Sequence, residues 1–444
     1  LNLVGEEAII YQPFDVKLGW REREMTLLTR EDDLAAIMAS DPIAIADPFP
    51  VWTELVEMAP ATRVGPVVFV CRYDEVKALY KDPVRLSSRG SVEGSRFDEI
   101  VAGLTQEEAE ALFEISAFEE KFMVRTDGDE HGRLRRIAHQ TFTHRRVVQM
   151  EEVVRFHTNR LLDELRGDDE VDLMAGLAWA LPLVVICEML EVPPADRERI
   201  HDWSGAIGRN RGGDDPAALL PALAAMRAFR AYIEGHVEER RRHPGTDLVS
   251  ALTEAHEGER LTEEELHGMF VNLLFAGHET TTNLIAHGLA GMYAQHGQWA
   301  RLVADPDLAT GATEEMLRWV SPVQFSNRVA VEPLRVGDVE IEVGQNVFLM
   351  AAAANRDPRV FERPSWIDIE RPNARSHLAL GIGPHFCLGN ALARLEGRVV
   401  FETLARRFPE IEIETENLAY RGNWKLRSLV ELPATLGPEA AGER

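Results

Sequence analysis

Cys387 stands in the stretch LALGIGPHFCLGNALARLE, residues 378–396, between glycines, two positions after His385 and just ahead of a run that reads as a helix. A thiol so placed can work as a thiolate, because free backbone N–H groups and the positive end of a helix dipole favour the anion. Leu388, Leu392, Leu395 and Val399 follow at steps of four, three and four, which lays them along one helix face and puts the cysteine at the helix start. Gly381, Gly383 and Gly389 carry no side chains on either side of the sulfur, so a broad flat ligand can approach the backbone there. Two plainer readings share these residues: an inert buried cysteine, or a hydrolase nucleophile activated by His385, although side chains at i and i+2 of such a turn usually diverge. GIGPHF lacks the third glycine of a dinucleotide loop, and no βαβ unit follows it.

The second chemical candidate is MFVNLLFAGHETTTNLIAHGLAGM, residues 269–292, apolar nearly all round except for Glu279, Thr280, Thr281 and Thr282. A carboxylate inside a buried helix costs free energy unless it is partnered or solvated, which marks Glu279 as a functional candidate. Threonine hydroxyls also bond back to the carbonyl four residues earlier, so a local bend at Gly277 is the plainer reading. HETTT does not make a zinc protease motif, since Thr282 stands where a second histidine is needed. With LTEEE at 261–265 as a capping signal, the stretch predicts one helix of about 30 residues, roughly 45 Å long.

What positions these residues is a large apolar core. The chain has 444 residues, 45% of them hydrophobic, with 8 Trp, 18 Phe and 12 Met to fill an interior. A formal charge of -26 repels phosphate backbones and anionic bilayers, which argues against nucleic acid as a partner. Cys71, Cys187 and Cys387 are odd in number and far apart, which suggests neither a disulfide framework nor a zinc site and fits a reducing, cytoplasmic setting. The acidic start LNLVGEEAIIYQPFDVK does not read as an export signal. LAWALPLVVICEML from Leu177 is too short to span a bilayer and contains Pro182, so it reads as a buried helix and no membrane anchor is expected.

Helical periodicity dominates from Arg145 to about Gly297, broken by VPP at 192–194 and by GRNRGGDDP at 208–216. PVVFVCRY at 66–73 reads as a strand, LRVGDVEIEVGQNVFLM from Leu334 as a meander, and the tail from Pro409 as further short strands. The expected class is mainly α with a minor β region, in one unit spanning 1–444. Helix-rich parts are expected at about 75–320 and 375–408, and β-rich parts at about 40–75, 321–374 and 409–435.

Taken together, these stretches resemble the cytochrome P-450 superfamily in its bacterial form. The cysteine loop is similar to the family's haem-binding signature, with Leu380 in place of the usual Phe; AGHETT at 276–281 resembles its central oxygen-activating helix; and EEMLR at 314–318 matches its ExxR element through Glu315 and Arg318. EHGRLRR from Glu130, NRVAVEPLRVGDVEIEVGQNV from Asn327 and ANRDPRVFERP from Ala354 agree in order, so that the resemblance covers the chain from about residue 40 onward. Gly128 and Asp129, where relatives often have two prolines, and His144 depart from the pattern.

The resemblance implies a triangular prism of helices around a long central one, with small sheets, and haem b held by Cys387 as the proximal thiolate. It implies propionate binding by His131, Arg135, Arg328 and His385, close approach of the porphyrin or oxygen ligand at Ala276, Gly277 and Gly389, and a structural salt bridge between Glu315 and Arg318 that supports the cysteine loop. Glu279 and Thr280 resemble the family's acid and alcohol pair, which relays protons to iron-bound dioxygen. The implied activity is monooxygenation of a small apolar substrate. The implied electron source is a separate ferredoxin and its NAD(P)H-dependent reductase, since no room is left for a flavin or iron–sulfur domain. Arg133, Arg135, Arg136, Arg145 and Arg146 form a basic cluster suited to an acidic ferredoxin. Phe97, Phe113, Phe118 and Phe122 are candidate pocket aromatics, and Arg125 and Gln324 candidate polar contacts. A haem sensor or carrier without turnover, and a haem-thiolate peroxygenase or isomerase, are the alternatives.

Overall fold

The structure is a computed structural model that describes residues 30–440 other than 91–100, 142–143, 168, 210–215, 246–247, 258–260, 296 and 422. Phe97 and most of the loop expected at 208–216 lie outside the described residues, as do the side chains of His144 and Arg145.

The VVFV run forms a strand whose four residues are all buried, as a short β-branched stretch covered on both faces should. This strand, β2 (Val67–Val70), turns back through Gly65 onto β1 (Ala61–Val64), with Ala61 opposite Val70. Chain order continues through β3 (Leu86–Ser87), β4 (Val171–Asp172), β5 (Ser326–Ala330), β6 (Leu334–Val336), β7 (Val339–Ile341), β8 (Asn346–Leu349), β9 (Glu412–Ile413) and β10 (Pro433–Thr435). The main sheet has the order β1-β2-β8-β5-β3; β4-β10-β9 and the hairpin β6-β7 are separate small sheets. Pairing is parallel between β2 and β8 and antiparallel between β8 and β5, with Arg328 opposite Val347.

The first part of the region expected to be β-rich, 40–75, is instead helical over Pro42–Ala46 and Phe49–Met58. Both helices carry proline in the first turn, where its fixed φ suits a helix, and Trp52, Leu55 and Val56 bury one face at helical spacing.

Five helices carry the candidate chemistry: α1 (Gly128–Thr141), α2 (Ala180–Met189), α3 (Glu263–Ala294), α4 (Ala309–Val320) and α5 (Asn390–Arg407). Gly128 opens α1 at φ +58°, a conformation closed to proline, which accounts for the departure at that position. One π turn, Met174–Trp179, leads into α2, which is buried along most of its length as its unbroken apolar sequence requires. The capping box expected at LTEEE is formed: Thr262 accepts from the Glu265 N–H while Glu265 accepts from the Thr262 N–H. The 32 residues that follow make α3 about 48 Å long.

Helices α3, α4 and α5 pack on one another within an apolar cluster that runs from Ala111 to Leu436. Close approach depends on small residues: a Cβ on Gly288 of α3 would lie 2.7 Å from the Phe401 ring of α5, and one on Gly397 of α5 would lie 2.9 Å from Thr313 of α4. Among the described residues no helix is long and apolar enough to cross a membrane.

Candidate active site

Cys387 does not sit in the first turn of α5. A 3-10 turn, Gly383–His385, precedes it, and it lies two residues ahead of the N-cap, Gly389. The loop is closed on itself, with the Cys387 N–H donating to the Leu380 carbonyl at 2.9 Å, and the Gly389 N–H is directed at the sulfur. Burial pushes the thiol up, while that N–H and the charges of Arg394 and Arg135 pull the other way. Two of the loop glycines have requirements of their own. Gly383 sits at φ +79° with a Cβ position only 2.8 Å from the Tyr80 carbonyl, and Gly381 at φ +65°. Gly389 has an ordinary φ of -80° and no protein atom within 4 Å of its Cβ position, so close approach of a ligand is the remaining physical reason for a glycine there.

The four expected propionate partners gather around this loop. His131 shares a hydrogen bond with the Pro384 carbonyl at 3.1 Å and packs its ring 4.0 Å from that of His385. Arg135 donates to the Phe386 carbonyl, and Arg328 donates to the Asn327 carbonyl at 2.7 Å. Burial holds both guanidinium groups below the usual arginine range, and among the described residues neither has a carboxylate ion-pair partner. Two half-buried cations without an anion fit a dianionic ligand such as a haem with its two propionates. His131 Nδ1, buried and without a hydrogen-bond partner among the described residues, adds a third open valence. Burial, followed by the positive neighbours His385 and Arg135, brings His131 down to about 4.

Sequence reasoning missed Asp127. Its carboxylate accepts from Ser87 Oγ at 2.6 Å and from the Ser88 N–H at 2.9 Å, and lies 3.5 Å from His385 Nε2. Burial opposes its charge, but the bonds from His385, Ser87 and Ser88 hold it well below the usual carboxylate range. The Nε2 of His385 is therefore occupied by this chain, leaving Nδ1 for any ligand. No motif flagged Asp127, because its partners lie about 40 and 258 residues away in sequence.

On α3, the described residues from Glu265 to Met292 are buried except at Ala276, Gly277, Glu279 and Thr280. Between Glu265 and Met292 the described residues thus open around the polar pair and the two small residues before it. Thr280 Oγ1 donates to the Ala276 carbonyl at 2.8 Å, the back-bond that loosens a helix locally. The position of Gly277 would accept a Cβ at 3.7 Å from Ile186 of α2, ordinary contact distance, so no neighbouring protein atom demands glycine there. His278 tethers this stretch on its buried side: Nδ1 meets Ser204 Oγ and Nε2 the Trp179 carbonyl, both at 3.2 Å, and burial drives the ring down to about 3.

Glu315 and Arg318 pair at 2.7 Å with both side chains fully buried, as their i, i+3 spacing predicts. Arg371, which no sequence signal marked, completes a triad with Glu315 at 3.0 Å. The triad fastens the segment 355–371: Arg318 donates to the carbonyls of Asn355, Pro364 and Trp366, and Arg371 to those of Glu362 and Trp366. The pair reaches the start of the cysteine loop through Asn355, whose carbonyl accepts from Arg318 and whose Oδ1 accepts from the Leu378 N–H at 2.7 Å; the neighbouring Glu314 contacts the loop through His377 and Arg394.

Other expectations shift. Arg133 is paired with Glu265, so its charge is covered, whereas Arg136 is exposed. Arg125 pairs with Glu119, and Gln324 spends its amide N–H on the Val320 and Ser321 carbonyls at the end of α4. Phe118 and Phe122 pack edge to face at 5.6 Å, while Phe113 is half exposed.

With this geometry in place, comparison with known proteins is informative. The sequence model described as Cytochrome P450 matches residues 223–418. The chain is 37% identical over 400 residues, 87% of its length and 91% of the relative, to the monooxygenase PikC of Streptomyces venezuelae. It is 35% identical over 407 residues, 89% of its length and 95% of the relative, to vitamin D(3) 25-hydroxylase of Pseudonocardia autotrophica. The structure of the tirandamycin C-bound monooxygenase TamI superposes with a TM-score of 0.77 at 34% identity, covering 88% of this chain and 98% of that one.

Proposed function

The chain belongs to the cytochrome P-450 family of oxidoreductases, and on that premise we propose that it is a haem-thiolate monooxygenase acting on a small apolar substrate with electrons from a ferredoxin. The observation that carries this reading is that, within the stretch Glu265 to Met292, α3 opens at Ala276, Gly277, Glu279 and Thr280, the residues a dioxygen site needs, while its other described residues are buried. When bound, haem supplies the redox chemistry: with two electrons and two protons, one atom of dioxygen enters a C–H or C=C bond and the other leaves as water.

The rest is the work of this chain. Cys387 is the ligand for the iron, and Arg135 and Arg328 receive the propionates as charge-assisted partners. His131 turns Nδ1 toward the site, its Nε2–H being donated to the Pro384 carbonyl. His385 contributes through Nδ1, its Nε2 being held by Asp127 and Ser88. Thr280 holds a proton at Oγ1 and, while donating to Ala276, keeps its lone pairs free to accept from a water that Glu279 recharges from the half-exposed side.

The apolar substrate class is supported by the aromatic pair Phe118 and Phe122 beside Met123 and Val124, and by the relative named as a vitamin D(3) hydroxylase. The ferredoxin is supported by Arg136, exposed next to the Arg135 that reaches the cysteine loop.

Purified protein reduced under carbon monoxide should show the strongly red-shifted Soret band of thiolate ligation, and should oxidise NAD(P)H with a surrogate ferredoxin system when a ligand that gives a type I shift is present. A haem spectrum with no oxygen-dependent product from any such ligand would leave a sensor or carrier instead. Thr280→Ala is expected to keep NAD(P)H consumption within about threefold while product per NAD(P)H falls about tenfold or more and hydrogen peroxide rises. Thr280→Ser should restore coupling; coupled turnover in the alanine variant would remove Thr280 from the relay.

A further inference from the structure

The cysteine loop begins near His377 and ends near Asn390, and both ends lead to one carboxylate. Glu314 on α4 is 4% exposed, and its carboxylate serves both ends, with the exposed Arg375 Nε also 3.5 Å from Oε1. On the first side, His377 Nδ1 accepts from the Ala379 N–H at 3.2 Å, which places the ring proton on Nε2, and Nε2 donates to Glu314 Oε2 at 3.2 Å. On the second side, Arg394 Nε donates to Glu314 Oε1 at 2.8 Å and its Nη2 to Oε2 at 3.3 Å. Arg394 Nη1 reaches Asn390 Oδ1 at 3.0 Å, and Asn390 Nδ2 donates to the carbonyl of Cys387 at 2.8 Å. The chain of bonds His377–Glu314–Arg394–Asn390–Cys387 is continuous. Burial alone would raise Glu314, but His377 and Arg394 hold it at about 2, so it is an anion throughout the neutral range.

We propose that Glu314 is a positioning residue whose single carboxylate staples both ends of the cysteine loop to α4 and, by neutralising Arg394, sets the electrostatic field at the Cys387 sulfur. The proposal rests on the haem-thiolate reading above. Its logic is that of outer partners in metal sites, which orient a ligand and tune its basicity without touching the metal. The ExxR pair next door holds 355–371 and reaches the loop through Asn355, which accepts from the Leu378 N–H, whereas Glu314 holds residues at both ends of the loop.

The test uses holoprotein and two readouts besides turnover: the ferric–ferrous equilibrium against a redox dye, and hydrogen exchange of the amides of 377–390. Glu314→Gln keeps an oxygen for Arg394 but turns an N–H toward His377 or the reverse, and leaves the Arg394 charge uncovered near the sulfur. The equilibrium should move about tenfold toward ferrous, about 59 mV for one electron. Arg394→Gln removes the charge and should move it in the opposite direction, and the double variant, which removes both charges, should lie near wild type. His377→Ala should speed exchange at 377–379 about tenfold, while His377→Gln, which keeps an N–H donor, should restore protection. If Glu314→Gln takes up no haem, the Arg394 and His377 variants decide the matter. Shifts of the same sign in Glu314→Gln and Arg394→Gln, or no shift in either alongside unchanged exchange, overturn the proposal. A wild-type protein without the red-shifted band takes down the haem-thiolate reading itself, a failure visible before any variant is made.

Discussion

Cys387→Ser is expected to abolish the red-shifted Soret band of the reduced carbon monoxide complex and to cut product formation by at least about a thousandfold, about 4 kcal/mol of transition-state stabilisation. Within the chain, burial works against the Cys387 anion and only the Gly389 N–H, Arg394 and Arg135 oppose it. Coordination to a metal is what takes the proton off such a thiol outright, and a serine hydroxyl has neither the acidity nor the electron-rich sulfur to replace it. The other two cysteines serve as controls. Cys71 and Cys187 are buried, and burial pushes Cys187 up to about 12 and Cys71 higher still, as expected of packing residues. Cys71→Ala and Cys187→Ala should keep the band at the cost of about 1 to 2 kcal/mol of stability each. A serine variant with the wild-type spectrum would move the ligand elsewhere and end the assignment.

Arg318→Ala is expected to cost about 3–5 kcal/mol, a large part of the stability of any domain, and to yield little protein able to hold haem. All five guanidinium N–H groups are used: Nε and Nη2 on the two oxygens of Glu315, Nη1 on the carbonyls of Asn355 and Pro364, Nη2 again on that of Trp366. Alanine strands those acceptors in a dry interior and leaves Glu315 with Arg371 as its remaining cation. Lysine supplies charge but not the planar fork, so Arg318→Lys should also fall short of wild type by more than about 2 kcal/mol. Chemical denaturation of the three proteins decides it: a lysine variant within about 1 kcal/mol of wild type would show that charge alone suffices there.

Much of this site was legible along the chain because its key elements are local. The capping box at Thr262 and Glu265, the i, i+3 pair Glu315 and Arg318, and the polar break in an apolar α3 each depend on residues within one or two helical turns, where spacing alone sets which side chains meet. The early helices Pro42–Ala46 and Phe49–Met58 are not legible in the sequence because short apolar runs do not distinguish strand from helix.

What the sequence determined by itself was the class of the fold and the family, since motif order and helical period survive without any knowledge of packing. Which carboxylate holds which segment was decided in three dimensions: Asp127 meets His385 across 258 residues, and Glu314 meets Arg394 across 80 and His377 across 63. No periodicity encodes such pairs. They form because close packing of α3, α4 and α5 brings together residues far apart in sequence, and a buried charge is costly unless such partners meet it.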